Sequence, residues 1–329
     1  MWTTKDKGSS PNYGFLTIGC DPEFLFINER GSCISACDLF QEAHTENGAF
    51  GWDGHAGKQA EIRPRPSQYP ARVTARIQRL LTRSPQSKIS WDYRWYCGNG
   101  LANYPTGGHI HIGFYGLVQE NVHCASPIVD YTPELEGVLC EVLLPFAVAL
   151  SSPASLEARL ATGYGRAGDV RLDHPWGMEW RTLPSWLYDP WVAYFFLAGA
   201  KLIALEFAKR DYQLEEFRSP IPLGLLYRPT SIAKLKSVVT RRLDECAELV
   251  RDLGGWDETK QHNKALSHVL QLIHEGTVWD GVDFRSNWLT ENIPWVAKEL
   301  PAVLVVARPS LRDVLSKETT MLSYERETL

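Results

Sequence analysis

"TGGHIHIGF", Thr106–Phe114, sets two imidazoles two residues apart behind a pair of glycines. In a strand, alternate side chains share a face. His109 and His111 would then project together, while Ile110 and Ile112 point the other way into a core. The pattern suits a metal-binding strand, and it suits equally a half-buried strand with two hydrogen-bonded histidines. Other parts of the chain have to decide between them.

Three further segments share its layout: Asp21-Pro-Glu23, Glu61-Ile-Arg63 and Glu179-Trp-Arg181. Each sets two polar residues around an apolar one, within runs that alternate as strands do ("FLTIGCDPEFLFI", "KQAEIRP", "GMEWRTL"). Ile18, Cys20, Phe24 and Phe26 fall on one side of the first run, with Asp21 and Glu23 on the other. In one antiparallel sheet, Asp21, Glu23, Glu61, Arg63, His109, His111, Glu179 and Arg181 would share a surface. Each pair alone has an ordinary reading as a solvated face or an ion pair. Their recurrence supplies the full set of parts for one site.

Crowded carboxylates resist ionisation unless a cation neutralises them. Mg²⁺ or Mn²⁺ prefers carboxylate oxygen, sometimes with one imidazole. Residues two apart on a strand have Cα atoms roughly 6.7 Å apart, so Asp21 and Glu23 can serve neighbouring ions, which sit ~3.5–4 Å apart in paired sites. The arginines add a match for phosphate oxygens. Metal, carboxylates and guanidinium groups together point to phosphoryl chemistry. "ARLATGYGRAGDVRLDHPWGMEWRTLPSW" brings Arg159, Arg166, Arg171 and Arg181, with glycines near Arg166 that permit close backbone approach to a ligand.

Composition sets the outer bounds. The chain has 329 residues, 44% hydrophobic and 22% charged, with a net charge of −5, ordinary for a soluble globular protein. No broad basic face for duplex nucleic acid is expected. The seven cysteines read as reduced thiols, and Cys33 and Cys37 lack a second pair to complete a zinc site. "MWTTKDKGSSPNYG" reads as a disordered start, residues 1–14. No membrane span is expected. "WVAYFFLAGAKLIALEFA", broken by Lys201 and Glu206, reads as a buried core helix.

Strands fill the first half, with helices predicted over "PARVTARIQRLL" from Pro70 and over "TPELEGVLCEVLLPFAVAL" from Thr132. From about Trp191 the spacing is helical, and "RSPIPLGLLYRPT" reads as the linker. The expected class is α+β: a curved antiparallel sheet flanked by helices, with a largely helical C-terminal third. The division expected is 15–220 as the catalytic domain and 221–329 as a helical subdomain packed on it. "GAFGWDGHAG" reads as a turn-rich loop, although its Trp52, Asp53 and His55 could reach a substrate. His44, His55, His123 and His174 read as surface or structural residues.

The ordered set "IGCDPEFLFIN", "GKQAEIRP", "GGHIHIGF" and "EWRTLPSW" resembles the acidic, Gly-x-His-x-His and Glu-x-Arg-x-Pro strands of the glutamine synthetase and glutamate–cysteine ligase superfamily. It looks most like the phage-associated carboxylate–amine ligases (amidoligases) of that group. The resemblance covers roughly residues 15 to 190. It implies Asp21, Glu23, Glu61, His109 and Glu179 as metal ligands, and Arg166, Arg171, Arg181 and His111 as nucleotide- or phosphate-binding residues. Arg63, Arg181 and Glu61 are implied as the catalytic group. Asp21 stands where glutamine synthetases carry Glu, and the helical third has no counterpart. The implied reaction is ATP-dependent amide formation through an acyl phosphate, with Mg²⁺ or Mn²⁺. Its partners would be ATP, a carboxylate and an amine, each of the last two a small molecule, a peptide or a modified base. A cytoplasmic setting follows, the host's if the gene is a phage's, and a homo-oligomer is compatible with the superfamily. A kinase-like phosphotransferase on the same scaffold and a non-catalytic metal-binding or interaction protein are the rival readings.

Overall fold

The computed structural model describes residues 16–40, 49–53, 57–101, 103–114, 132–172, 177–209, 220–227, 229, 231–252 and 258–290. The expected disordered start, His44, His55, His123, His174 and residues 291–329 lie outside them.

The first half supplies strands β1 (Leu16–Ile27), β2 (Cys33–Ile34), β3 (Ala49–Asp53), β4 (Gln59–Arg63), β5 (Arg94–Tyr96), β6 (Gly100–Leu101), β7 (Tyr104–Pro105) and β8 (Gly108–Phe114). Helices α1 (Ala36–Phe40), α2 (Pro70–Arg83) and α3 (Pro85–Ile89) lie among them. Then come α4 (Thr132–Leu150), α5 (Pro153–Ala161), β9 (Val170–Arg171) and β10 (Gly177–Trp180). The described residues that follow form helices: α6 (Pro190–Lys209), α7 (Leu223–Tyr227), α8 (Ile232–Arg241), α9 (Leu243–Arg251), α10 (Glu258–His274) and α11 (Arg285–Thr290).

Local sequence accounts for these boundaries. Pro70 opens α2 with φ already set for a helix. Val73, Ile77 and Leu81, four apart, form its buried stripe. Ser152 and Ser231 cap α5 and α8 by accepting the N–H groups of Ser155 and Lys234.

The main sheet runs β3-β4-β1-β8-β10-β9, every pairing antiparallel, with β2 and β5 also on β1. β1 is the hub. Leu16 to Pro22 pair with β8, Glu23 and Phe24 with β4, and Leu25 to Ile27 with β5. One face of the sheet is apolar. Ile18, Phe24, Ile62, Ile110 and Trp180 are all fully buried there. α6 packs on β1 and β8, and α2, α4 and α10 pack against α6. The apolar middle residue of each polar pair therefore anchors its strand to the helices. The flanking polar residues are left on the other face.

Two expectations need amending, and the reading of α6 as a core helix holds. "GAFGWDGHAG" is not all loop, because its first half is strand β3, paired residue for residue with β4. The linker segment contains α7, and its Ile221 and Leu226 are buried, so it fills core rather than spanning a gap. α6 does pass the length and composition test for a membrane span over Pro190–Phe207, yet 89% of that window is buried inside the fold.

The helical third is tied back to the first half of the chain by Asp280. Its carboxylate accepts the backbone N–H groups of Asn99 and Ser152, each at 2.7 Å. The six described cysteines are free thiols.

Candidate active site

Strand register assembles the polar face row by row. Gly19, His111, Glu179 and Arg171 lie side by side across β1, β8, β10 and β9. Asp21 stands opposite His109 in the next row. Glu23 stands opposite Glu61, which faces Gly51 on β3. Glu23, Glu61, His109 and Glu179 are each at most 4% exposed. A polar sheet face buried this deeply is not a solvated surface.

Two groups of ligand atoms converge there. Asp21, His111 and Glu179 form one, and Glu23, Asp53 and Glu61 form the other. Within each group the atoms lie within 4.8 Å of one another. His109 adjoins the first group, with Nδ1 3.2 Å from Asp21 Oδ1 and 3.4 Å from Glu179 Oε1. His111 Nε2 is 3.1 Å from the same Asp21 oxygen. Guanidinium groups stand at both edges. Arg63 Nε is 2.7 Å from Glu61 Oε1. Arg171 Nη1 is 3.0 Å from Glu179 Oε2, and Arg181 Nη1 is 3.7 Å from Glu179 Oε1.

Burial and mutual charge shape the ionisation of these groups. Burial raises the Glu61 carboxyl well above the usual carboxylate range, and the Asp21 charge adds to this against the pull of Arg63. Burial also raises Glu23, although the charge on His109 and the bonds from Gly107 and Tyr164 oppose it. Burial works against the Asp21 anion too, but His111 and His109 outweigh it and hold that carboxyl well below its ordinary value. Burial alone would lower His109; Asp21, Glu23 and Glu179 raise it instead.

The double glycine has a steric cause. A Cβ on Gly107 would sit 2.3 Å from His109 Nε2 and 2.7 Å from the Tyr164 hydroxyl. On Gly108 it would sit 2.4 Å from the Trp186 ring. Without side chains here, the Gly107 N–H reaches Glu23 Oε2 at 2.6 Å. Tyr164 donates to that same oxygen at 2.9 Å, and its own oxygen lies 2.7 Å from His109 Nε2. Tyr164 is carried by a segment with positive-φ glycines at 163, 165 and 168. The segment packs on Arg159, which is 2% exposed and donates to the carbonyls of Thr106 and Leu183. The Arg159 guanidinium lies 4.7 Å from the centre of the Tyr164 ring.

The structure thus gathers Asp21, Glu23, Glu61, Arg63, His109, His111, Glu179, Arg171 and Arg181 on one face. Arg166 is placed elsewhere: it is exposed, and its guanidinium donates to the Leu160 carbonyl at the end of α5. His111, expected to contact the cofactor, is the imidazole that completes a group of converging ligand atoms, with His109 beside it. Sequence reading missed Tyr164 and left Asp53 in a loop. A tyrosine between two glycines, and a strand glycine at position 51 opening space before Glu61, are the signals that could have found them.

The donor sets suit a hard divalent cation. They offer carboxylate oxygens and one imidazole, with no thiolate. Glu23 and Glu61 are buried beside Asp53 at close range, an arrangement that needs a compensating positive charge. Asp21 Oδ1 is buried without a hydrogen bond of good geometry. The residues fit Mg²⁺ or Mn²⁺.

Comparison with known proteins adds an independent line. Residues 18–290 match the family described as "Phage phiEco32-like COOH.NH2 ligase-type 2". No curated protein matches the chain. Among solved structures, a glutamine synthetase from Plasmodium falciparum shares 9% identity over 79% of this chain and 72% of its own, with a TM-score of 0.41. A bifunctional glutathione synthetase from Pasteurella multocida shares 12% identity over 84% of this chain, with a TM-score of 0.42. The chain spans 49% of that second protein. Both likenesses are distant, and the family match is what places the chain.

Proposed function

Starting from the chain's membership of the phage phiEco32-like COOH.NH2 ligase-type 2 family, we propose that it joins a carboxylate to an amine at the expense of ATP, through an acyl phosphate. The observation that carries this reading is the convergence of two three-residue ligand groups on one sheet face, with arginines at both edges. Divalent ions held there, Mg²⁺ or Mn²⁺, would supply positive charge against the ATP phosphates.

The chain's own residues do the rest. Asp21, His111, His109 and Glu179 form one pole of the site, and Glu23, Asp53 and Glu61 the other. Arg171 and Arg181 stand over Glu179 and pair with the oxygens of the transferring phosphoryl group. Arg63 at the opposite edge orients the carboxylate substrate. An oxygen of that carboxylate attacks the γ-phosphorus, and the bond to the β-phosphate oxygen breaks, releasing ADP. The amine then attacks the acyl carbon and phosphate leaves, carrying one oxygen of the original carboxylate. The amine gives up a proton to a neighbouring base.

The test uses that oxygen. A panel of ¹⁸O-carboxylate acids is incubated with ATP, Mg²⁺ and hydroxylamine. Transfer of ¹⁸O to phosphate together with hydroxamate formation supports the proposal. ADP production with a stable phosphorylated product and no hydroxamate would assign phosphotransfer instead. Absence of any ATP turnover across the panel would favour a binding role.

A further inference from the structure

Tyr164 touches both halves of the carboxylate face. Its hydroxyl reaches Glu23, of one ligand group, and His109, which adjoins Asp21 and Glu179 of the other. We propose that Tyr164 is a positioning residue that fixes the tautomer of His109 and the orientation of Glu23, so that each presents a bare ligand atom to a cation. This rests on the metal reading given above and extends it to a residue outside the ligand set.

The argument follows the one hydroxyl hydrogen. An ionised carboxylate can only accept, so the Tyr164 O–H donates to Glu23 Oε2. The same oxygen takes the Gly107 N–H. Glu23 Oε2 is thereby fully engaged, which leaves Oε1 for the group formed with Asp53 and Glu61. The Tyr164 oxygen, having given up its hydrogen, accepts from His109 Nε2–H at 2.7 Å. Metal ligation requires the neutral ring, and in it Nδ1 then carries the lone pair. That lone pair faces Asp21 Oδ1 and Glu179 Oε1 at 3.2 and 3.4 Å. A cation placed among these three atoms would be held by all of them. Indirect contacts of this kind orient ligands in many metal sites.

The surroundings hold Tyr164 in place. The Arg159 guanidinium packs on its ring from one direction, and that of Arg181 lies 5.8 Å from the ring centre. Gly165 gives Arg159 room, since a Cβ there would sit 1.9 Å from its Nη2. The ring is packed by these contacts and the hydroxyl is aimed by them. Tyr164→Phe therefore removes both hydrogen bonds and keeps the packing.

The experiment combines ¹⁵N-histidine NMR with Mg²⁺ calorimetry on the full-length protein. In Mg²⁺-saturated wild type, His109 is expected as the Nε2–H tautomer. Tyr164→Phe should keep its unfolding midpoint, lose about 10–100-fold in Mg²⁺ affinity and show His109 no longer held in one tautomer. An Nδ1–H tautomer in the Mg²⁺-loaded wild type would overturn the proposal without any variant. A Tyr164→Phe protein that matches wild type in affinity and tautomer would also overturn it. Glu61→Gln separates the two claims. If it loses Mg²⁺ while Tyr164→Phe does not, the metal reading stands and the role of Tyr164 falls. If wild type itself takes up no Mg²⁺, both fall.

Discussion

Replacing Glu23 by Gln should make the metal-free protein more stable and the metal-loaded protein less so. The substitution keeps an acceptor oxygen for the Gly107 N–H and the Tyr164 hydroxyl. It removes one charge from a group whose ligand atoms lie within 4.8 Å of one another. Two full charges at that separation repel by about 3 kcal/mol at an effective dielectric constant near 20. Burial already works against the Glu61 charge, and the variant gives up its attraction to His109. The net gain in the absence of metal is therefore about 1–3 kcal/mol, or roughly 2–10 °C in unfolding midpoint. Mg²⁺ at a hundred times its dissociation constant should add about 2.7 kcal/mol to wild type and little to the variant. Chelator-treated samples melted with and without Mg²⁺ would show the two proteins exchanging rank. A variant less stable than wild type without metal, or an equal response of both to Mg²⁺, would refute the reasoning.

Two other substitutions probe separate parts of the fold. His262 is fully buried, with no hydrogen-bond partner for either ring nitrogen among the described residues, stacked on Phe195 at 5.4 Å, and burial lowers its pKa to about 4. The unfolded chain titrates near ~6.5. The stabilising effect of a neutral His262 is thus complete above that value and lost as pH falls towards 4, by about 3 kcal/mol. His262→Phe should gain that much on wild type between pH 7 and pH 4 in urea unfolding, and a pH-independent difference would show the assignment to be mistaken. Gly107→Ala would drive a methyl group into His109 and Tyr164. It should cost about 1–3 kcal/mol and weaken Mg²⁺ binding measured by calorimetry, whereas unchanged Mg²⁺ binding would show that the close packing there serves only the scaffold.

What the sequence disclosed follows from how local each signal is. The polar-apolar-polar triplets needed only period two and an apolar anchor, so Ile62, Ile110 and Trp180 sit buried and their neighbours share a face. Asp53 was hidden because the glycines around it resemble a turn, although Gly51 lies in a strand opposite Glu61. Tyr164 was hidden for a different reason. Its bond to Glu23 joins residues 141 positions apart, and no spacing rule spans that distance. The arginines show the same limit. Arg159, Arg166, Arg171 and Arg181 read alike in sequence, yet one supports buried carbonyls, one binds a helix end and two stand over Glu179. Which of the two histidines completes a ligand group depends on where β10 brings Glu179, a matter of sheet order that no single strand encodes.

The most direct test is a crystal structure with Mn²⁺ and a non-hydrolysable ATP analogue, read by anomalous scattering. The account predicts manganese peaks among Asp21, His109, His111 and Glu179 and among Glu23, Asp53 and Glu61, with the analogue's phosphates towards Arg171 and Arg181. Manganese bound elsewhere, or a carboxylate face that stays empty at saturating metal and nucleotide, would contradict it.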